Sequence, residues 1–215
     1  MKKTKLRIVI PTVCITITGV FFALYLFPIY DRNFIANNDN FFFTLETHWS
    51  QGNAVALIRH TERCDRSDNT CLDGETGITI NGMQEAIKIG SVYSNLLTEQ
   101  TTIHNSPAKR TMQSAHYMFG ALSITKSWLL ENCKEHLLDN IFKHKKEGEN
   151  LILVTHSTCI EALGEKQGSQ LFDMSLHGEE TYGGSFFIAI DSARKLAHSL
   201  GYLDTQSLQN HQFDP

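Results

Sequence analysis

AVALIRH at residues 54–60 and LILVTH at residues 151–156 decide the fold, because each is an apolar run of strand length that leads into a histidine. No polar residue interrupts Ala54–Ile58 or Leu151–Val154, the pattern of strands covered on both faces in a parallel sheet. Between them, Asn81–Leu97 gathers Met83, Ala86, Ile87, Gly90, Tyr93, Leu96 and Leu97 near one helical face, with Asn81 as the expected cap. Thr101–Asn105 reads as a strand, and Pro107 is expected to open a helix through about Phe119, since proline suits a first helical turn. Helices are expected over Glu135–Lys146 and Thr158–Leu163, and later strands over Gly184–Asp191 and Lys195–Asp204, paired as a hairpin on the sheet edge. This alternation predicts an α/β three-layer sandwich: a mostly parallel central sheet with helices on both faces. There is no internal repeat and no linker strong enough to split the body.

The whole chain has 215 residues, 41% hydrophobic and 20% charged, with 4 prolines. Such composition excludes a collagen-like, low-complexity or mostly disordered protein, and the length suits one α/β domain. The net charge of −4 is unevenly spread. Lys2, Lys3, Lys5 and Arg7 have no acidic neighbour in the first thirty residues, so the remainder carries 15 basic against 23 acidic side chains, or −8. An acidic body argues against a nucleic-acid binder, which needs Lys and Arg to displace counterions from phosphates. Any anion site must be a local concentration of arginine.

Ile8–Tyr30 runs 23 residues without a charge, and at about 1.5 Å per residue a helix of that length spans a hydrocarbon core of about 30 Å. Basic residues before it predict a cytoplasmic N-terminus and an exported body. Residues 1–30 are therefore read as a signal anchor, with a cleaved signal peptide, whose apolar region is commonly about 7–15 residues, as the competitor. Residues 31–52 read as a linker and edge segment containing Phe41, Phe42 and Phe43, and residues 53–215 as the folded domain. Export gives meaning to Cys64, Cys71, Cys133 and Cys159, which allow three pairings in an oxidising compartment. The pairing Cys64–Cys71 with Cys133–Cys159 is the most economical, stabilising by about 2.5 and about 3.5 kcal/mol in the chain-entropy model. A zinc site is the rival reading, poorly served by a spacing without a CxxC pair. Four buried thiols would suit a cytosolic body.

In open α/β sheets, ligands gather beyond the carboxyl ends of the strands, where His60 and His156 both fall. A single histidine there is commonly a satisfied packing residue; two at equivalent places, with Arg59 and Arg63 flanking one of them, point to a site. Arg110 lies just inside the helix after the second strand, behind the Ser106–Pro107 turn. Three arginines and two histidines converging in an acidic protein suit a phosphate dianion, because the planar guanidinium fork bonds two oxygens at once.

LIRHTER at 57–63, GITINGMQEA at 77–86, NSPAKRTMQSA at 105–115 and LVTH at 153–156 together resemble the histidine phosphatase superfamily, with its phosphoglycerate-mutase-like fold. RHTERCDRSDNTCL followed by GIT is similar to one branch, the exported lipopolysaccharide core heptose-phosphate phosphatases of the Ais type, which likewise carry cysteines here and near the second histidine. The resemblance spans about residues 54–163. It implies that His60 attacks phosphorus to form a phosphohistidine, that Arg59, Arg63 and Arg110 hold the phosphoryl oxygens, and that His156 adds a further donor. It implies a metal-independent phosphoric monoester hydrolase without a cofactor, because phosphoryl transfer depends mainly on positioning and electrostatics. The implied substrate is a phosphorylated sugar or the lipopolysaccharide core; the implied location is the periplasm, tethered to the inner membrane or released if the leader is cleaved.

The general acid is carried by Leu129–Leu130–Glu131, which resembles the family pattern, with Glu135 and Glu62 as alternatives. The stretch 176–184, LHGEETYGG, offers His177, Glu179, Glu180 and Tyr182 as lining for the mouth, or simply a loop. Two positions depart from the family: Thr61 stands where Gly commonly follows the nucleophile, and Ser157 follows the second histidine, which implies a differently shaped mouth. A sugar-phosphate mutase, needing cytosolic metabolites, and a non-catalytic anionic-glycan-binding protein of this fold are the competing functions.

Overall fold

The computed structural model describes residues 39–165 and 176–210. Six strands, Ala54–Arg59 (β1), Thr101–Asn105 (β2), Ser123–Thr125 (β3), Asn150–Thr155 (β4), Ser185–Asp191 (β5) and Leu196–Leu203 (β6), form one sheet in the order β3-β2-β4-β1-β5-β6. The four strands from β3 to β1 are parallel, and the β5–β6 hairpin joins β1 antiparallel at the other edge. The helices are Asp39–Ser50 (α1), Ile80–Tyr93 (α2), Lys109–Phe119 (α3), Cys133–His144 (α4), Ser157–Glu165 (α5) and Thr205–Asn210 (α6). The α/β sandwich expected from the alternating runs is the one observed.

Side chains alternate across the sheet. Ala54, Ala56 and Ile58 of β1, Ile152 and Val154 of β4, and Phe187 of β5 join one core with α1, α2 and α3. Val55, Leu57, Leu151 and Leu153 are equally buried and face the other layer, where α4 and α5 pack on each other. Each such Leu, Ile or Phe contributes about 1.5–3 kcal/mol on burial, and this double cover explains why β1 and β4 carry no polar side chain between their end residues.

Several local expectations are corrected. Helix α2 is capped by Thr79, whose Oγ1 accepts from the Gly82 amide at 2.9 Å, and not by Asn81. Its buried stripe is Gly82, Ala86, Ile89, Gly90 and Tyr93, while Ile87 is 50% exposed, because at 100° per residue Ile87 falls on the solvent flank. Gly90 lets α2 close on α3: a Cβ there would sit 2.2 Å from the Met118 carbonyl oxygen. Helix α3 starts two residues past Pro107, because the Ser106 amide still donates to the Val154 carbonyl (3.0 Å) and prolongs the strand pairing. Helix α4 begins at Cys133, after Asn132 in the left-handed region (φ 56°), and not at Glu135. The short, half-exposed strand β3 has too few residues to leave a pattern.

Within the stretch read as linker and edge segment, α1 lays Phe41, Leu45 and Trp49 on the core at helical spacing, and Trp49 Nε1 donates to the Leu96 carbonyl at 2.7 Å. The expected anchor over residues 1–30 lies outside the described residues. Among the described residues no helix is long and apolar enough to cross a membrane.

Candidate active site

Parallel register carries the site residues to one level. Arg59 of β1 is opposite Thr155 of β4, Asn105 of β2 is opposite Val154, and the His60 amide donates to the Thr155 carbonyl at 3.0 Å. His60, His156 and Ser106 thus leave three neighbouring strands side by side. Both histidines are almost fully buried, at 3% and 5% exposure, with ring centroids 5.6 Å apart.

Arg110, from the first turn of α3, binds them together. Its Nε donates to His60 Nε2 and its Nη2 to His156 Nδ1, both at 3.2 Å. A guanidinium only donates, so both contacted ring nitrogens are unprotonated. His60 Nδ1 therefore carries the proton and donates to the Thr61 carbonyl (2.8 Å), while His156 Nε2–H donates to Ser106 Oγ (2.9 Å). Burial, with smaller contributions from His156, Arg110 and Arg59, pushes His60 well below its ordinary value despite the Thr61 carbonyl. Burial, then Arg110 and Arg63, lowers His156 to about 4. At neutral pH both rings are neutral, and His60 presents a lone pair on Nε2.

A cavity of about 340 Å³ opens over this group, the size of a small-molecule site and larger than one phosphate needs. Of the residues expected from sequence it brings together His60, Arg63, Arg110, His156, Glu135 and His177, and Arg66 joins them. Arg63 is forked onto Asp65, which orients its guanidinium at the rim. Arg59 takes a different place from the one expected. Its Nη1 donates to the Gly178 carbonyl (2.6 Å) and to Thr181 Oγ1, and its guanidinium lies 3.9 Å over the Tyr182 ring. It is 3% exposed and its Nε is without a hydrogen-bond partner, so it is a buried cation behind the cavity. The Tyr182 ring is in turn 5.7 Å from His60. Gly183, at φ +70°, turns the chain there against Ile89, where a Cβ would lie 2.6 Å from Ile89 Cδ1.

Glu131 is exposed and stands outside the cavity wall, because the left-handed turn at Asn132 separates it from α4; Glu135, in the first turn of α4, lines the wall instead. Glu62 is occupied. It accepts from Ser67 (2.7 Å), Asn69 (2.9 Å) and Thr79. Burial opposes its ionisation, but these bonds outweigh burial and hold the carboxyl below its ordinary value. Thr61 is fully buried with its hydroxyl 3.1 Å from Ser114, so replacing glycine there leaves the mouth unobstructed, whereas Ser157 does line the cavity. His177 lines it too, paired with Glu161 at 3.1 Å, while Glu179 and Glu180 are exposed outside it. Ser106 stood in the sequence only as a turn residue and Tyr182 only as candidate mouth lining; strand register and loop closure show Ser106 bonded to His156 and Tyr182 beneath Arg59.

Two disulfides frame the site. Cys64–Cys71 closes the loop that follows His60 and carries Arg63 and Arg66, and Cys133–Cys159 ties the start of α4 to α5, directly after His156. Each has Cα atoms 5.3 Å apart. Such bridges persist in oxidising compartments.

The comparisons agree with this geometry. No family model matches the chain. It is 35% identical over 121 residues to a lipopolysaccharide core heptose(II)-phosphate phosphatase of Salmonella typhi, a match covering 55% of this chain and 60% of that relative. The chain thus spans less than two thirds of the length of the curated relatives it matches. A phosphoglycerate mutase from Bacillus anthracis superposes with a TM-score of 0.53 at 14% identity, over 74% of this chain and 97% of that one. A phosphoserine phosphatase from Entamoeba histolytica gives 0.51 at 15% identity, over 72% and 98%. This is the fold of the phosphoglycerate mutase and phosphoserine phosphatase structures. Within it, the sheet-end histidines of the present chain occupy the ends of the two central parallel strands, and the branch resemblance read in the sequence is matched by the Salmonella relative.

Proposed function

We propose that the protein is a phosphoric monoester hydrolase acting through a phosphohistidine on His60. The observation that carries this reading is the tautomer: Thr61 fixes the proton on Nδ1, leaving the Nε2 lone pair facing Arg110 and the cavity. His60 Nε2 attacks phosphorus while the bond to the leaving alkoxide breaks, and the alkoxide takes a proton from an acid on the cavity wall. Glu135 suits that role better than Glu131 because it reaches the cavity. Arg110 turns its donors onto the phosphoryl oxygens, with Arg63 at the rim, His156 beside them and Arg59 adding charge from behind. Water then attacks the phosphohistidine, giving up its proton to the same carboxylate and releasing inorganic phosphate. Preorganised cations supply the transition-state charge stabilisation.

The names of the relatives support a heptose phosphate of the lipopolysaccharide core as substrate. That substrate, the two disulfides and the basic–apolar leader support a periplasmic enzyme held at the inner membrane through residues 1–30. Turnover of p-nitrophenyl phosphate by the purified full chain, lost in His60→Ala, tests the chemistry; activity retained by that variant refutes it. Mass spectrometry of the core from cells with and without the gene tests the substrate: one heptose phosphate should disappear only when the gene is present, and identical cores refute it.

A further inference from the structure

The cavity holds more positive charge than one phosphoryl group uses. Arg110 is engaged with the two histidines, and Arg63 is answered by Asp65. Two further cations line the wall: Arg66, on the loop after His60, and Lys134, in the first turn of α4. Neither has an ion-pair partner among the described residues. Arg66 also borders a neighbouring hollow with Asp65, Asp68 and Glu179, yet bonds to none of them. Glu135 is the single carboxylate of the wall. In a chain of net charge −4, unanswered cations gathered round one opening of about 340 Å³ form a focused positive field.

Each of the two is held by a disulfide. Cys64–Cys71 closes the loop bearing Arg66, and Cys133–Cys159 fastens the turn bearing Lys134. Their backbones are thereby fixed on the cavity rim while the side chains remain exposed and able to reach a ligand.

We propose that Arg66 and Lys134 form a second anion subsite, so that the substrate is a glycan segment bearing two anionic groups. One is the phosphoryl group transferred to His60, and the other, a phosphate or carboxylate, stays on the product. The location of the first group rests on the phosphatase reading. Arg66 and Lys134 play no part in the phosphoryl transfer itself; they select and orient the substrate.

Calorimetric titration of the full-length His60→Ala protein, which binds without turnover, tests the subsite with glucose 6-phosphate, glucose 1,6-bisphosphate and fructose 1,6-bisphosphate. At least one bisphosphate should bind about tenfold tighter than the monophosphate, as expected for one added pair of charge contacts. Adding R66Q and K134Q should abolish that preference and leave monophosphate affinity unchanged, and in a chain with His60 intact the same pair should leave p-nitrophenyl phosphate turnover unchanged. Equal affinity for all three ligands overturns the proposal, as does a preference that survives R66Q/K134Q. A wild-type chain that binds bisphosphates preferentially but never turns over p-nitrophenyl phosphate supports the subsite while refuting the phosphatase reading.

Discussion

Replacing His156 with glutamine should flatten the acid sensitivity of the fold. The ring is 5% exposed, and its Nδ1 accepts from the Arg110 guanidinium, so a second proton would place an N–H against a cation in a dry site. Burial, with Arg110 and Arg63 adding to it, accordingly lowers its pKa from 6.5 to about 4. In the unfolded chain the imidazole takes up its proton near the ordinary value; in the native state it does so only near 4. Stability is therefore complete above the ordinary value and is lost as pH falls towards 4, because over that interval the unfolded state binds the extra proton. At about 1.4 kcal/mol per pKa unit the loss amounts to about 3 kcal/mol, most of it present by about pH 4.5. The substituted amide can still donate to Ser106 and accept from Arg110 but cannot titrate. Urea unfolding of both proteins at about pH 7, 5.5 and 4.5 gives two stability curves whose difference reports this ring together with its coupling to His60, while His104, also lowered to about 4, contributes equally to each. Wild type should lose about 3 kcal/mol more than the variant. Parallel curves would refute the neutral, buried ring, and with it the inference that Arg110 holds both histidines unprotonated.

Arg110→Lys keeps a charge but loses the fork that reaches both rings, and should lower kcat/KM for p-nitrophenyl phosphate about 100-fold or more; an unchanged value would remove Arg110 from the mechanism. Glu135→Gln should slow alkyl phosphates, whose leaving groups need a proton, about 100-fold, while p-nitrophenyl phosphate, with its good leaving group, responds weakly; Glu131→Gln should affect neither, and the reverse pattern would restore Glu131 as the acid. Converting Cys133 and Cys159 to serine should lower stability by about 3.5 kcal/mol in denaturant titrations, and wild type in reductant should lose at least as much. Insensitivity to both would show that the bridge constrains nothing in the unfolded chain.

What could be read from the sequence followed burial. Strands β1 and β4 are covered on both faces, so their apolar runs marked their extents to within a residue or two, and the histidines at their ends were visible as interruptions of those runs. The two disulfides were legible because four cysteines, once the body is read as exported, leave only three pairings. Errors gathered where a side chain could satisfy the backbone in more than one way. Thr79 and Asn81 are both competent caps, and the competition is decided by Glu62, 17 residues away, which fixes the Thr79 hydroxyl. No local pattern contains that contact.

The same distinction governs the active-site residues. Motif order brought His60, Arg63, Arg110 and His156 together, because each leaves a strand end or a first helical turn whose position the sheet dictates. Arg59 illustrates the limit. One residue before His60, it points by strand alternation away from the direction His60 takes, and meets Gly178, Thr181 and Tyr182 instead. A guanidinium buried there without a carboxylate bonded to it would be costly unless other groups compensated. The carbonyl and hydroxyl it binds and the ring beneath it provide part of that compensation. Its remaining charge raises the potential behind the cavity and disfavours a proton on His60. On the proposed mechanism Arg59 acts through the protonation of His60 even where it forms no side of the pocket; replacing it with glutamine should move the pH dependence of phosphorylation at His60, whereas a purely structural arginine would change only the amount of folded protein.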